Sequence, residues 1–475
     1  MGFTQLGRIE YALQGGKILT DAIDNSGGVN CSDHEVNIKI LLNQVVENGD
    51  MTEKQRNQLL SEMTNEVADL VLRQNYLQPE AISITASRAA EALGDHVRVI
   101  RSLEKVGKLD RALEFLPSDE ELADREAEQH GLVPPEMAIL LAYSKISLFE
   151  ELIDSNVPED PYLQRELLAY FPQPLGKSFA KEMQAHPLRR EIIATYITNS
   201  MLNRMGSVFA IRMGEDTGER ASSIARAYSA ARELWDARRL WNSIDSLDNQ
   251  VPADVQIRMH IKTRHLLERA SRWLLRNRRP PLDVETLVKQ FAAGIAALRT
   301  ALPNLLPATE GEKFQRASQE FSEAGVPQEL AQWIASLEMM YSALDLVEVA
   351  IQMALPVENV AAIHFALVDR LELNWLQENI IALPVTTHWQ QRAQAALVDG
   401  FYTQARALTA DVLRLTAKED PPEARLAAWL EQNRRGVGRC LGLFADLRSS
   451  AGQPDLAMLS VALRETANLL QSSGS

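Results

Sequence analysis

Two cysteines, Cys31 and Cys440, are all that 475 residues contain. Their scarcity and separation exclude a disulfide framework, and neither has histidine or cysteine company at metal-ligand spacing. A reduced, cytoplasmic setting is expected. The eight histidines form no metal pattern either, since the tightest pair, His260 and His265, stand five apart and share a helical face poorly. Long apolar runs are missing: the stretch from Met137 to Tyr143 falls far short of the roughly 20 residues that cross a bilayer. The first thirty residues carry Arg8, Glu10, Lys17, Asp21 and Asp24 with no apolar core, so no signal peptide is expected. Positive charge is in deficit, 49 basic against 64 acidic side chains, for a net −15. A field of that sign repels phosphate backbones, so nucleic acid is not an expected partner, and with no run long enough to span a bilayer neither is a membrane.

What is present is a core former. Hydrophobic residues make up 46% and charged residues 24%, the balance of a soluble globular chain. From residue 52 onward the apolar spacing is helical, as in Met63, Val67, Leu70 and Val71, or Ala89, Leu93, Val97 and Ile100. Prolines punctuate it, among them Pro79, Pro117, Pro134-Pro135, Pro280-Pro281, Pro356 and Pro421-Pro422. No sustained period-two alternation follows residue 50. The stretches Ala395 to Leu413 and Val106 to Leu113 each resemble one tetratricopeptide-like hairpin, but no fixed interval relates them, so irregular helical packing is expected.

The first thirty residues read differently. Glycines crowd there, Lys17 to Ile23 reads as a strand, and Asp24-Asn25-Ser26-Gly27-Gly28 reads as a loop. Ser32 with Glu35 forms a capping-box pattern that opens a helix through Leu42, Asn48-Gly49 stops it, and Thr52 with Gln55 starts the next. A glycine turn at a helix N-terminus favours a carboxylate or phosphate, because free N–H groups and the helix dipole meet there. Ser32 adds a hydroxyl and Asn25 an amide. The plainer alternative is that Ser32 caps its own helix and the glycines simply turn. Adjacent Asp33 and His34 point about 100° apart on a helix and make a poor acid–base pair. The stripe Arg258, Lys262, His265, Arg269, Arg272 and Arg276 lies on one helical face; solvation or pairing with acidic helices is expected over an anion-binding surface. Gly436 to Gly442 has the wrong spacing for a dinucleotide loop.

The run from Asn25 through Ser26, Gly27, Gly28, Val29 and Ser32 to Glu35 resembles the substrate-site turn of glutamate dehydrogenases. The wording around it, TDAIDNSGGVNCSDHEVNIKILLN, is similar to the large bacterial NAD-dependent enzymes of that family. So are LDRALEFLPSDEEL from Leu109, PPEMAILLAYSKISL from Pro134, DPYLQRELLAYFP from Asp160 and HPLRREIIATYITN from His186. The resemblance implies that Asn25 helps hold the α-carboxylate of L-glutamate or 2-oxoglutarate, that Ser32 binds the γ-carboxylate, and that Val29 lines the apolar middle of the pocket. Asp33 and His34 stand where smaller members of the family carry aromatics, and Val36 replaces a Trp.

The fold so implied is mainly α: a short N-terminal strand, glycine turn and helix left from a dinucleotide-binding α/β domain, then an irregular all-α C-terminal region. Residues 1–50 close the catalytic domain, 51–280 form a helical domain and 281–475 a C-terminal helical region. The resemblance also implies NAD as cofactor and a homo-oligomer. The sequence identifies no catalytic residue and no metal ligand. The catalytic lysine and cofactor loop are expected upstream of Met1, which makes the chain inactive alone. The alternative is a non-catalytic helical scaffold or interaction protein whose first fifty residues are a relic or mediate docking.

Overall fold

The computed structural model describes residues 2–385, 387–450 and 452–472, and among them there are helices and no strand. Two compact units emerge: Met1–Glu233 with Gln256–Leu287, and Leu234–Val255 with Val288–Ser475. No helix among the described residues is long and apolar enough to cross a membrane.

The first unit begins with α1 (Gln5–Leu13), α2 (Asp21–Asp24), α3 (Ser26–Glu47), α4 (Glu53–Glu62), α5 (Thr64–Ala86) and α6 (Ala89–Lys105). It continues through α7 (Asp119–Ala127), α8 (Pro134–Ile153), α9 (Arg165–Tyr170), α10 (Gln173–Ser178), α11 (Ala180–Gln184) and α12 (Arg189–Met205). α5 sits between α3 and α8, and α12 packs on α5, α8 and α9. Leu41, Leu42 and Val45 of α3, Ile82 and Ile84 of α5, Leu140 and Leu141 of α8, and Ile193 and Ile197 of α12 are buried.

Local chemistry explains the element ends. Thr52 caps α4 reciprocally with Gln55, as its sequence pattern requires. Gly49 takes φ +83 after α3, a left-handed conformation that glycine adopts without a Cβ penalty. Pro134 and Pro135 open α8, where a missing N–H costs nothing, and Glu136 accepts the Val133 N–H at 2.9 Å.

Three expectations are corrected. The strand over Lys17 to Ile23 is absent: residues 17–20 lack regular structure, and α2 follows, with the Thr20 hydroxyl accepting the Ile23 N–H. Buried Arg8 holds this segment, donating to the Leu19 carbonyl at 2.5 Å and to the Asp24 and Asp21 carboxylates. Side-chain capping and an arginine clamp replace the sheet ladder that a strand would need. Pro79 does not separate helices but lies inside α5, whose packing on both flanks outweighs the lost backbone bond. The stretch Ala395 to Leu413 is no hairpin but part of one helix, His388–Leu415, and Val106 to Leu113 runs from the end of α6 into turns.

In the second unit, Ala308–Glu323 pairs with Gln328–Ser336, and Val357–Arg370 packs on His388–Leu415 and Pro422–Gln432. His388–Leu415 also packs on Leu456–Ser472, where a Cβ on Gly400 would stand 3.0 Å from Leu463 Cδ2. Absence of a side chain lets these helices approach closely.

Candidate functional site

α3 carries the residues that the sequence singles out, but it starts seven positions earlier than the Ser32 capping pattern indicates, its cap position being Asn25. Gly27 and Gly28 belong to its first turn and not to a bend, and Ser32 is its seventh residue, exposed and mid-helix. The cap comes from another helix. Asn75 Oδ1 of α5 accepts the Gly27 N–H at 3.0 Å and the Ser26 hydroxyl at 2.6 Å. A donor expected to face an anion is therefore already satisfied by Asn75. Gly28 has its own steric reason: a Cβ there would fall 2.8 Å from Asn25 Oδ1, so only glycine lets that amide fold over the first turn.

Helical spacing of four and three places Asn25, Val29 and Ser32 along one stripe. All three are exposed, Val29 at 66%, and Val36 continues the stripe one turn on at 47%. The opposite face buries His34, Asn37, Ile38, Leu41, Leu42 and Val45. The structure thus gathers the three residues on the open side of a firmly packed helix. An exposed amide, an exposed hydroxyl and an exposed methyl-bearing side chain can together contact a small molecule with polar ends and an apolar middle.

Asp33 and His34 do not pair. His34 is fully buried, its ring stacked on Tyr170 with centroids 4.5 Å apart, while Asp33 stays exposed at the edge of the stripe. Burial lowers the His34 pKa against the opposing pull of Asp33. The Gln74 amide donates to His34 Nε2 at 3.1 Å, which puts the proton of the neutral ring on Nδ1, an atom buried without a partner. Tyr170 donates to Asp33 Oδ2 at 2.9 Å and accepts from Asn37 Nδ2 at 2.9 Å. The same Asn37 amide reaches Asp33 Oδ1 at 3.1 Å. Burial first, then the Asp33 charge, drives the Tyr170 pKa upward, so the hydroxyl remains a donor. His186 Nδ1 accepts the Leu188 N–H, leaving Nε2 to donate to the Asn37 carbonyl at 3.1 Å.

Residues 129–468 match the family described as Glutamate dehydrogenase, C-terminal, and residues 1–85 match Bacterial NAD-glutamate dehydrogenase, catalytic domain. The chain belongs to the NAD-specific glutamate dehydrogenase family. Along its whole length it is 44% identical to the NAD-specific glutamate dehydrogenase of Pseudomonas aeruginosa and 36% to that of Mycobacterium tuberculosis. Over 99% of its length it is 40% identical to the enzyme of Halomonas elongata. It spans 29% of the length of each of these relatives.

Against this glutamate dehydrogenase background, the Tyr170 cluster gains a meaning that sequence reasoning missed. α3 lies in the stretch matching the catalytic domain, whereas Tyr170 and His186 lie in the stretch matching the C-terminal part. Both stretches contribute to the first compact unit. The Tyr170-Phe171 pair reads locally as packing, and Phe171 does stack edge-on against Tyr170 at 5.0 Å. Nothing near it in sequence announces a hydroxyl that reaches 137 residues back.

Other singled-out features fall elsewhere. Arg272 of the basic stripe pairs with Asp216 and Glu268, each at 2.9 Å, and His265 meets Arg88 at 3.1 Å. Gly436 to Gly442 lie inside the helix Arg434–Ser449 and not in a loop after a strand. A dinucleotide site needs a strand, a glycine turn and a helix N-terminus in succession. No such succession occurs among the described residues.

Proposed function

We propose that this chain is the C-terminal part of an NAD-dependent glutamate dehydrogenase and supplies one wall of its substrate site. In this reading Asn25 donates its amide to the α-carboxylate of L-glutamate or 2-oxoglutarate, Ser32 donates its hydroxyl to the γ-carboxylate, and Val29 covers the methylenes between them. Recognition comes from side chains in this reading, since Asn75 already takes the Gly27 N–H and the Ser26 hydroxyl and the Asn25 carbonyl takes the Gly28 N–H. The carrying observation is the stripe itself: three residues of suitable chemistry stand exposed together on a helix whose other face is buried.

The reaction in this reading is oxidative deamination of glutamate to 2-oxoglutarate and ammonia with NAD as acceptor. This chain's residues bind and orient, while the base, the lysine and the dinucleotide cradle belong to a preceding region. A cytoplasmic homo-oligomer completes the proposal. The 475-residue chain alone should form no NADH from glutamate. In the enzyme extended to the relatives' length, Ser32→Ala and Asn25→Ala should each raise KM for glutamate at least about tenfold, the loss of about one charge-assisted hydrogen bond. Unchanged glutamate turnover in both variants would remove the site assignment. Robust NADH formation by the chain alone would show that the preceding region is dispensable.

A further inference from the structure

Apolar packing fixes where α3 lies, but it sets the roll of the helix about its own axis only loosely, because a stripe of aliphatic contacts is non-directional. Roll matters for anything the exposed stripe binds. Side chains reach about 5–6 Å from a helix axis, so a roll of about 10° carries a tip by about 1 Å. A displacement of that size is enough to cost a reaction up to about a hundredfold.

Directional contacts around α3 resist such a roll. Asn75 takes Ser26 and Gly27 at the first turn, and Gln74 takes His34. Beyond these, Tyr170 holds Asp33, the neighbour of Ser32, at the edge between the buried and exposed faces. The Tyr170 hydroxyl, the Asp33 carboxylate and the Asn37 amide close a triangle in which each group is bonded to the other two. The triangle spans one helical turn, from Asp33 to Asn37, and its outside corner belongs to α9. His186 adds a bond to the Asn37 carbonyl from the segment that precedes α12.

We propose that Tyr170 is a positioning residue, through which the C-terminal helical part sets the roll of α3 and so aims Ser32 at its ligand. The proposal rests on the substrate-site reading above. It assigns to the helical part a role in glutamate affinity, beyond bracing the fold, and it names the atom that carries it. Tyr170 does not touch substrate. Its hydroxyl acts through Asp33.

Tyr170→Phe keeps the ring stacked on His34 and Phe171 and removes only the hydroxyl. In the enzyme extended to the relatives' length, this variant should raise KM for glutamate about fivefold to tenfold with KM for NAD unchanged. Asp33→Ala should do the same, and the double variant no more than either single one, since both break the same bond. In the 475-residue chain, amide hydrogen exchange in residues 29–37 should quicken about tenfold in Tyr170→Phe, with α8 unaffected. Unchanged KM in Tyr170→Phe, while Ser32→Ala raises it, would overturn the positioning role and leave the substrate site standing. Unchanged KM in Ser32→Ala would overturn the site reading and this proposal with it. Faster exchange throughout the first unit, with both KM values shifted, would reduce Tyr170 to a structural residue and overturn the proposal.

Discussion

The two units bury polarity in different ways. The first sinks charges and pairs them: Glu166 with Arg232, both essentially inaccessible, Arg204 with Glu80 at 2.6 Å, and Arg226 with Asp160 at 2.9 Å. The second meets several of its buried charges differently: Asp411 accepts the Trp429 indole N–H at 2.9 Å, Arg425 donates to the Leu413 carbonyl, and half-buried Arg406 takes Glu348 at 2.8 Å, beside close contacts of Gly294 with Val347 and Gly400 with Leu463. Buried pairs offset their desolvation only in good geometry, and their directionality fixes how helices face one another. Close helix contact through glycine fixes distance and leaves orientation to the surrounding side chains. The unit that carries the exposed α3 stripe is the one that holds a charge pair with both partners essentially inaccessible, Glu166 with Arg232. A binding surface needs its helix aimed as well as packed.

The largest expected effect breaks the first unit's device. Glu166→Ala strips Arg232 of its fully buried partner, leaving Glu233 and Ser200 on that guanidinium. It should destabilise by about 3 kcal/mol, the usual cost of opening a buried pair from one side. Urea unfolding followed by hydrogen exchange checks it. Protection should fall in Arg165–Tyr170 and hold in Pro422–Gln432, and a uniform loss would erase the contrast between the units.

Acid should act on both units through buried histidines, most strongly His96 in the first and His364 in the second. Burial depresses His96 and His364 to about 4, the first with both ring nitrogens lacking a partner, the second bonded to Thr409. Each takes up its proton more readily unfolded, near 6.5, than folded. Stability is therefore full above about 6.5 and is lost as pH falls from there toward about 4, by of order 2–3 kcal/mol per histidine. His96→Gln should reduce that acid slope for the first unit, where His34 and His186, also lowered by burial, still contribute, and leave His364 to act on the second. A slope unchanged by the substitution would mean that His96 charges freely in the fold.

A smaller effect sharpens the second unit's side of the contrast. A Cβ on Gly294 would lie 2.8 Å from Val347 Cγ1, so Gly294→Ala should cost about 1–2 kcal/mol by overpacking, partly relieved in Val347→Ala. Thermal unfolding of the single and double variants checks the pairing, and additive losses would show that the two do not share one contact.

Much of this architecture is legible without coordinates. The helical body follows from apolar spacing after residue 52, and Thr52 with Gln55, like Asn48-Gly49, acts as local rules require. The same rules fail where a distant residue supplies the missing group. Gly27 and Gly28 read as a turn because no local side chain caps them; Asn75, 48 residues on from Gly27, does so, and the helix starts early. Pro79 reads as a break because the gain from packing α5 on both sides is invisible in its own window. Asn25, Val29 and Ser32 stand out by their pattern, and their shared exposure follows from helical spacing once α3 begins at Ser26. Tyr170 has no such signal, since its partners Asp33 and Asn37 are set by tertiary packing alone.

In the proposed site, Ser32 meets the γ-carboxylate end of the substrate. In the enzyme extended to the relatives' length, glutamate should be preferred strongly, by kcat/KM, over an analogue of the same backbone that lacks the γ-carboxylate. Ser32→Ala should reduce that preference about tenfold or more by harming glutamate and sparing the analogue, since only glutamate loses a hydrogen bond. An equal loss for both substrates, or none for either, would contradict the assignment of the exposed α3 stripe to the γ-carboxylate.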